Sequence, residues 1–190
     1  MKIVTIVTAG VVAMLSVAAA ATPAAAHPYD QYIRGRSFFG ALFGPSIERG
    51  VVSYPTNQKP GTIVVSTSQR RLYLVLGNGQ ALSYAIAVGA AGYAWSGINQ
   101  VSDKREWPDW TPPEEMLQRR RDLPRHMAGG PNNPMGARAI YLGASLYRIH
   151  GSNEPDKIGQ AVSSGCIRMT NQDVIDLFNR VQIGATVIVQ

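Results

Sequence analysis

The sequence predicts a mostly β domain with one or two short helices and a long loop insertion. Two β signals and one isolated helical signal lead to that reading. Ile63-Val64-Val65 is a β-branched run, and Leu72, Leu74 and Leu76 alternate with Tyr73 and Val75. The turn Gly77-Asn78-Gly79 separates that segment from another through Tyr84, Ile86 and Val88, which is the composition of a hairpin. A clear helical face appears late, where Val174, Leu177, Phe178 and Val181 recur at helical spacing behind the capping pair Thr170 and Asp173. The Gly-x-Gly of the turn does not read as a phosphate loop, because strands flank it and no helix follows.

In chain order, the 190 residues suffice for one compact domain. Met1-Lys2 is a short basic start, Ile3 to Ala21 is apolar, and Ala24-Ala25-Ala26 offers small residues for cleavage. Residues 1–26 therefore read as a secretory signal peptide, with the mature chain beginning near His27 and exported. An uncut membrane anchor is the rival reading. Pro23 and the alanine-rich end favour cleavage, so no stable membrane insertion is expected afterwards. The net charge of +6 suits an anionic polymer, and export makes nucleic acid the least suited partner. Residues 27–60 mix Gly, Arg, Pro and aromatic side chains without a sustained period, and read as an arm or linker that ends at Asn57-Gln58-Lys59-Pro60-Gly61. The domain proper is then 61–190.

Within it, residues 91–138 read as the insertion. They hold Trp95, Trp107 and Trp110, a helical candidate over Glu114–Arg121, and the run Gly129-Gly130-Pro131-Asn132-Asn133-Pro134. Long loops of this kind are often lids or binding loops, and their aromatic side chains serve either a ligand or a private mini-core. Ala139 to Leu142 and Ser145 to His150 return to strand. The helix behind Thr170 follows, and after Gly184 the run Ala185 to Val189 reads as a closing strand.

Two pieces of sequence carry chemistry. Ile149-His150-Gly151 places a histidine at a strand end, and Ser163-Ser164-Gly165-Cys166-Ile167-Arg168-Met169 is a small-residue turn delivering a cysteine. Cys166 is the only cysteine, so it cannot form an intramolecular bridge. A thiol attacks as thiolate, and a nearby imidazole can take its proton and return it to a leaving amine. Of the three histidines, His27 lies at the mature terminus and His126 in the insertion, which leaves His150 as the base. Backbone N–H groups of Ser164, Gly165 and Cys166 are candidates for an oxyanion hole. Arg168, with Gly151 and Ser163, completes the expected substrate-binding set, its guanidinium suited to a carboxylate. No acidic third member stands out. Metal binding is not expected, since no paired His or Cys ligand spacing occurs, and a serine hydrolase lacks its G-x-S-x-G elbow.

Histidine-glycine, a loop, then S-x-G-C-I-R-M resembles the signature of the YkuD-type L,D-transpeptidases, the ErfK/YbiS/YcfS/YnhG group. The likeness extends over roughly residues 60–190 and includes Asn133-Pro134-Met135-Gly136, Ile158-Gly159 and the Asn171–Phe178 helix. One position departs: many members have histidine just before the glycine, where this chain has Ser164. The resemblance implies a sandwich- or barrel-like, mostly β fold with the cysteine loop at one end, and no cofactor. It implies attack by Cys166 on the amide between a stem-position-three diamino acid and terminal D-alanine in peptidoglycan stem peptides. The resulting thioester passes to an amine of a second stem, to a lysine of an outer-membrane protein, or to water. It also implies that the third catalytic member is a backbone group, because Gly151 stands where some members have serine. A Gram-negative periplasm fits these features. A wall-binding module without catalysis is the alternative of another class.

Overall fold

The computed structural model describes residues 49–190; the expected signal peptide and all of the arm before Arg49 lie outside the described residues. Eleven strands and two α-helices make up the described chain. Strands β2 (Ile63–Ser66), β3 (Arg71–Gly77) and β4 (Gln80–Ala85) form the predicted hairpin region. Its turn needs three successive left-handed residues, and Gly77, Asn78 and Gly79 all have positive φ. The first strand, β1 (Gly50–Ser53), comes from the stretch read as an arm and pairs antiparallel with β4. Its side chains are largely exposed, so it shows no burial pattern for sequence reading to find. Stacking of Tyr54 on Tyr73 (4.7 Å between centroids) and ion pairs from Arg49 to Asp173 and Asp176 hold that edge down.

The longest strand corrects the sequence reading. Strand β6 (Gly97–Glu106) runs through what looked like the first part of the insertion. Only Val101 on it is buried, so its sequence carries no apolar alternation. Backbone pairing on both sides makes it a strand: its first part lies against β11 (Thr186–Val189), and its second part against β7 (Arg138–Leu142). A register shift between Val101 and Asp103 marks the change of partner.

The main sheet has the order β1-β4-β3-β2-β11-β6-β7-β8-β10, with β8 at Arg148–His150 and β10 at Ile167–Arg168. Because β6 serves both halves, side chains of β2–β4 meet those of β7, β8 and β10 in one core, with Ile63, Leu72, Tyr84, Ile140, Ile149 and Ile167 among them. The order runs from β1 to β10 and mixes parallel and antiparallel pairs, the mostly β architecture expected from the sequence. A two-stranded parallel pair, β5 (Val88–Gly89) and β9 (Ala161–Ser163), flanks the β10 end, where Ala87 bridges Arg168.

Helix α1 (Glu114–Arg119) is the short candidate of the insertion and buries nothing. Helix α2 (Asn171–Arg180) is the amphipathic one. Thr170 caps it by accepting the Asp173 amide, and Val174 and Leu177 enter the core. The remaining insertion is tied back in two ways. Trp107 is buried against Ala137, and Asn133 donates to the carbonyls of Met127 and Ala128. No helix of the described residues is long and apolar enough to cross a membrane.

Candidate active site

Strands β8 and β10 lie parallel, with Ile167 opposite Ile149 and Arg168 opposite His150. Ile149 and Ile167 face the core and are fully buried. Alternation along a strand then places His150 and Arg168 on the other face, and Cys166, immediately before β10, on that same face. The pairing therefore brings thiol and imidazole to one face of one strand pair.

His150 is 5% exposed. Its Nδ1 lies 2.6 Å from the Gly151 carbonyl, which accepts a hydrogen bond from Nδ1–H and so leaves Nε2 with the lone pair. Burial pushes the imidazole pKa down to about 4, and the charge of Arg168 adds to the fall, while the Gly151 and Met135 carbonyls oppose it. The ring is neutral at pH 7, as a proton acceptor must be. The backbone partner expected from the resemblance is thus the carbonyl of Gly151.

That carbonyl is fixed by close packing. A Cβ on Gly151 would lie 2.2 Å from Asn171 Oδ1, and one on Gly136 would lie 2.3 Å from the same atom. Asn171 Oδ1 also accepts the Ala137 amide at 2.9 Å. The first residue of α2 therefore pins the histidine strand to the end of the insertion. Gly151 is buried, with its own amide donating to Arg138 O. Its carbonyl meets His150 Nδ1 and its surroundings leave no room for a side chain, whereas the sequence reading puts Gly151 among the substrate-binding residues.

Cys166 is half-buried, its Sγ 3.9 Å from the Leu146 carbonyl. The turn before it is ordered from within. Ser163 Oγ donates to the Cys166 carbonyl at 2.5 Å and accepts the Gly165 amide at 3.2 Å. Ser163 is 2% exposed, so its hydroxyl shapes the turn and has no surface with which to meet substrate. With the Gly165 amide committed to Ser163, the flanking amides of Ser164 and Cys166 are the oxyanion-hole candidates that stay in play.

Two aromatic residues outside the motif hold this turn from the far side. Trp95 Nε1 donates to the Gly165 carbonyl at 2.8 Å, and its ring stacks on Tyr147 at 4.3 Å. Gly165 has φ +103°, and a Cβ there would come within 2.7 Å of Tyr147 Cε1. Sequence reading had noted Trp95 only among insertion aromatics, and Tyr147 not at all. Its position three residues before His150 was the available signal. Arg168 is half-buried, with one long ion pair to Glu154 at 3.5 Å.

The family follows from a match over most of the chain. Residues 60–189 match the L,D-transpeptidase catalytic domain (YkuD), and the chain belongs to that family. It is 40% identical over 134 residues to the probable L,D-transpeptidase ErfK/SrfK of Escherichia coli, a match covering 66% of this chain and 42% of that protein. The chain thus spans less than half the length of that relative. A solved L,D-transpeptidase from Mycobacterium smegmatis superposes with TM-score 0.55 at 14% identity, over 68% of this chain and 58% of that one. A Brucella melitensis structure named as a probable carnitine operon oxidoreductase (caia) aligns at 42% identity and TM-score 0.52, over 80% of this chain and 98% of that one. Its name differs; the family assignment rests on the domain match over residues 60–189.

Proposed function

We propose that the protein is an exported cysteine L,D-transpeptidase acting on peptidoglycan stem tetrapeptides in a periplasm. The observation that supports this reading is the β8–β10 register, from which alternation puts the half-buried Cys166 and the carbonyl-tethered His150 on one face of the strand pair.

Cys166 Sγ attacks the carbonyl of the amide joining the diamino acid to terminal D-alanine, and His150 Nε2 takes the thiol proton. The amides of Ser164 and Cys166 receive the negative charge that develops on oxygen. Collapse breaks the C–N bond, His150 gives its proton to the departing amine, and a thioester remains on Cys166. An amine of a second stem then attacks the thioester, His150 accepts its proton, and the thiol returns with a 3→3 cross-link formed.

Whole-protein mass after exposure to a carbapenem tests the nucleophile, with a covalent adduct on Cys166 expected. Analysis of muropeptides after incubation with purified wall reads the acceptor. Absence of both adduct and product would replace this reading with a wall-binding module. Product joined to protein, or stems merely shortened, would instead assign a protein lysine or water as acceptor.

A further inference from the structure

The β8–β10 register that places His150 opposite Arg168 also sets Arg148 on the same face, two residues before His150. Arg148 Nη1 donates to the Leu146 carbonyl at 3.0 Å, and Cys166 Sγ lies 3.9 Å from that same oxygen. A guanidinium and the thiol therefore share one backbone acceptor. The positive charges of Arg148 and Arg168 both act on His150, which lies opposite Arg168 across the strand pair.

Neither guanidinium is fully satisfied by the protein. Among the described residues, Nε of Arg148 and Nε of Arg168 are both buried without a hydrogen-bond partner. Within the same residues the Arg168 guanidinium meets Glu154 at 3.5 Å, and that of Arg148 meets the Leu146 carbonyl and the Tyr141 ring, 5.3 Å from Cζ. A half-buried guanidinium with donors to spare is costly to hold, and an anionic ligand offsets that cost with strong, forked hydrogen bonds. The reaction brings such an anion close. In a donor that ends at its leaving residue, the free α-carboxylate is two bonds beyond the nitrogen of the scissile amide.

We propose that Arg148, acting with Arg168, binds the free carboxylate of the leaving residue, so that the site selects donor stems by their chain end. This rests on the acyl-transfer reading of Cys166 for its substrate. It goes beyond the sequence expectation, which assigned a carboxylate to Arg168 alone and no role to Arg148.

The test separates recognition from turnover by measuring binding to the full mature chain carrying Cys166→Ala. Three synthetic stem tetrapeptides serve as probes: the free acid, its C-terminal amide, and a free acid amidated on the diamino acid side-chain carboxylate. The free acid is expected to bind about 10- to 100-fold more tightly than its C-terminal amide, as for a charge-assisted pair. Adding Arg148→Gln should remove most of that difference by weakening the acid and leaving the amide unchanged. Arg148→Lys, which keeps the charge and loses the fork, should retain an intermediate preference, and it guards against a folding defect in the glutamine variant. Equal affinities for acid and C-terminal amide would overturn the proposal, as would a preference that survives both Arg148 variants. A loss that instead follows the side-chain amide would move the recognised carboxylate to the diamino acid and overturn its assignment to the leaving residue. Failure of the transpeptidase reading shows separately, as wild-type protein that discriminates the peptides yet forms no thioester with any of them.

Discussion

At Cys166 and His150 the chemistry depends on single atoms. Cys166→Ala is expected to abolish acylation by a carbapenem or a stem peptide while leaving the thermal unfolding midpoint nearly unchanged, because the side chain is half-buried and makes only a long contact. His150→Ala should slow acylation by roughly two or more orders of magnitude, as loss of a general base does, with substrate binding retained. Stopped-flow acylation and binding titrations read these apart, and near-wild-type acylation in either variant would remove the assigned roles. Trp95 offers a subtler case. Trp95→Phe keeps the stack on Tyr147 and loses the N–H donated to the Gly165 carbonyl. A lost hydrogen bond of about 1 kcal/mol should loosen the turn, lowering kcat for acylation several-fold with KM little changed. A rise in KM alone would make Trp95 a substrate contact instead. Cys166 and His150 stand out in the sequence as candidates because each is nearly unique: one cysteine, and one histidine on a regular element near it. The roles of Ser163 and Gly151 were not legible, since adjacency to a reactive residue does not reveal which way a side chain or carbonyl faces.

Among the elements, the hairpin β3–β4 and helix α2 were legible because burial and local geometry agree there. Apolar side chains alternate, turn residues adopt left-handed φ, and a capped helix shows its buried face. Strand β6 was hidden for the opposite reason. Its pairing lies in the backbone, while nine of its ten side chains are at least partly exposed. Reassigning Gly97–Glu106 as strand shortens the insertion to the segment between β6 and β7. Trp107 and Asn133 fasten its two ends, and Asn153 Nδ2 donates to Asn132 O at 3.0 Å, linking it to the loop after His150. The exposed middle around α1 buries nothing of its own. Deleting residues 112–124 should therefore change affinity for wall fragments more than the unfolding midpoint. A larger loss of stability than of affinity would make that segment structural and exclude a role as lid.

For the whole molecule, the buried imidazole links stability to acidity. His150 has a folded pKa of about 4 against 6.5 unfolded, so below pH 6.5 the unfolded chain binds the extra proton and stability falls. The contribution is complete above pH 6.5 and lost progressively down to about pH 4, amounting to roughly 3 kcal/mol. Urea unfolding at pH 7 and pH 4.5 should show a smaller drop for His150→Gln than for the wild type, and equal drops would mean the ring is not buried neutral. For the same reason the acid limb of wild-type acylation due to this group is expected near pH 4, well below the value for a solvated histidine.

The position of β11 has a consequence for how such a molecule comes into being. Although it is the final strand, it sits mid-sheet, parallel to β2 on one side and antiparallel to β6 on the other. Without it the two halves have no shared seam, and the β2 and β6 edges meant for it are left open. Closing that seam joins Val187 to Ile63, distant along the chain, so it waits on a long loop closure and is expected late in folding.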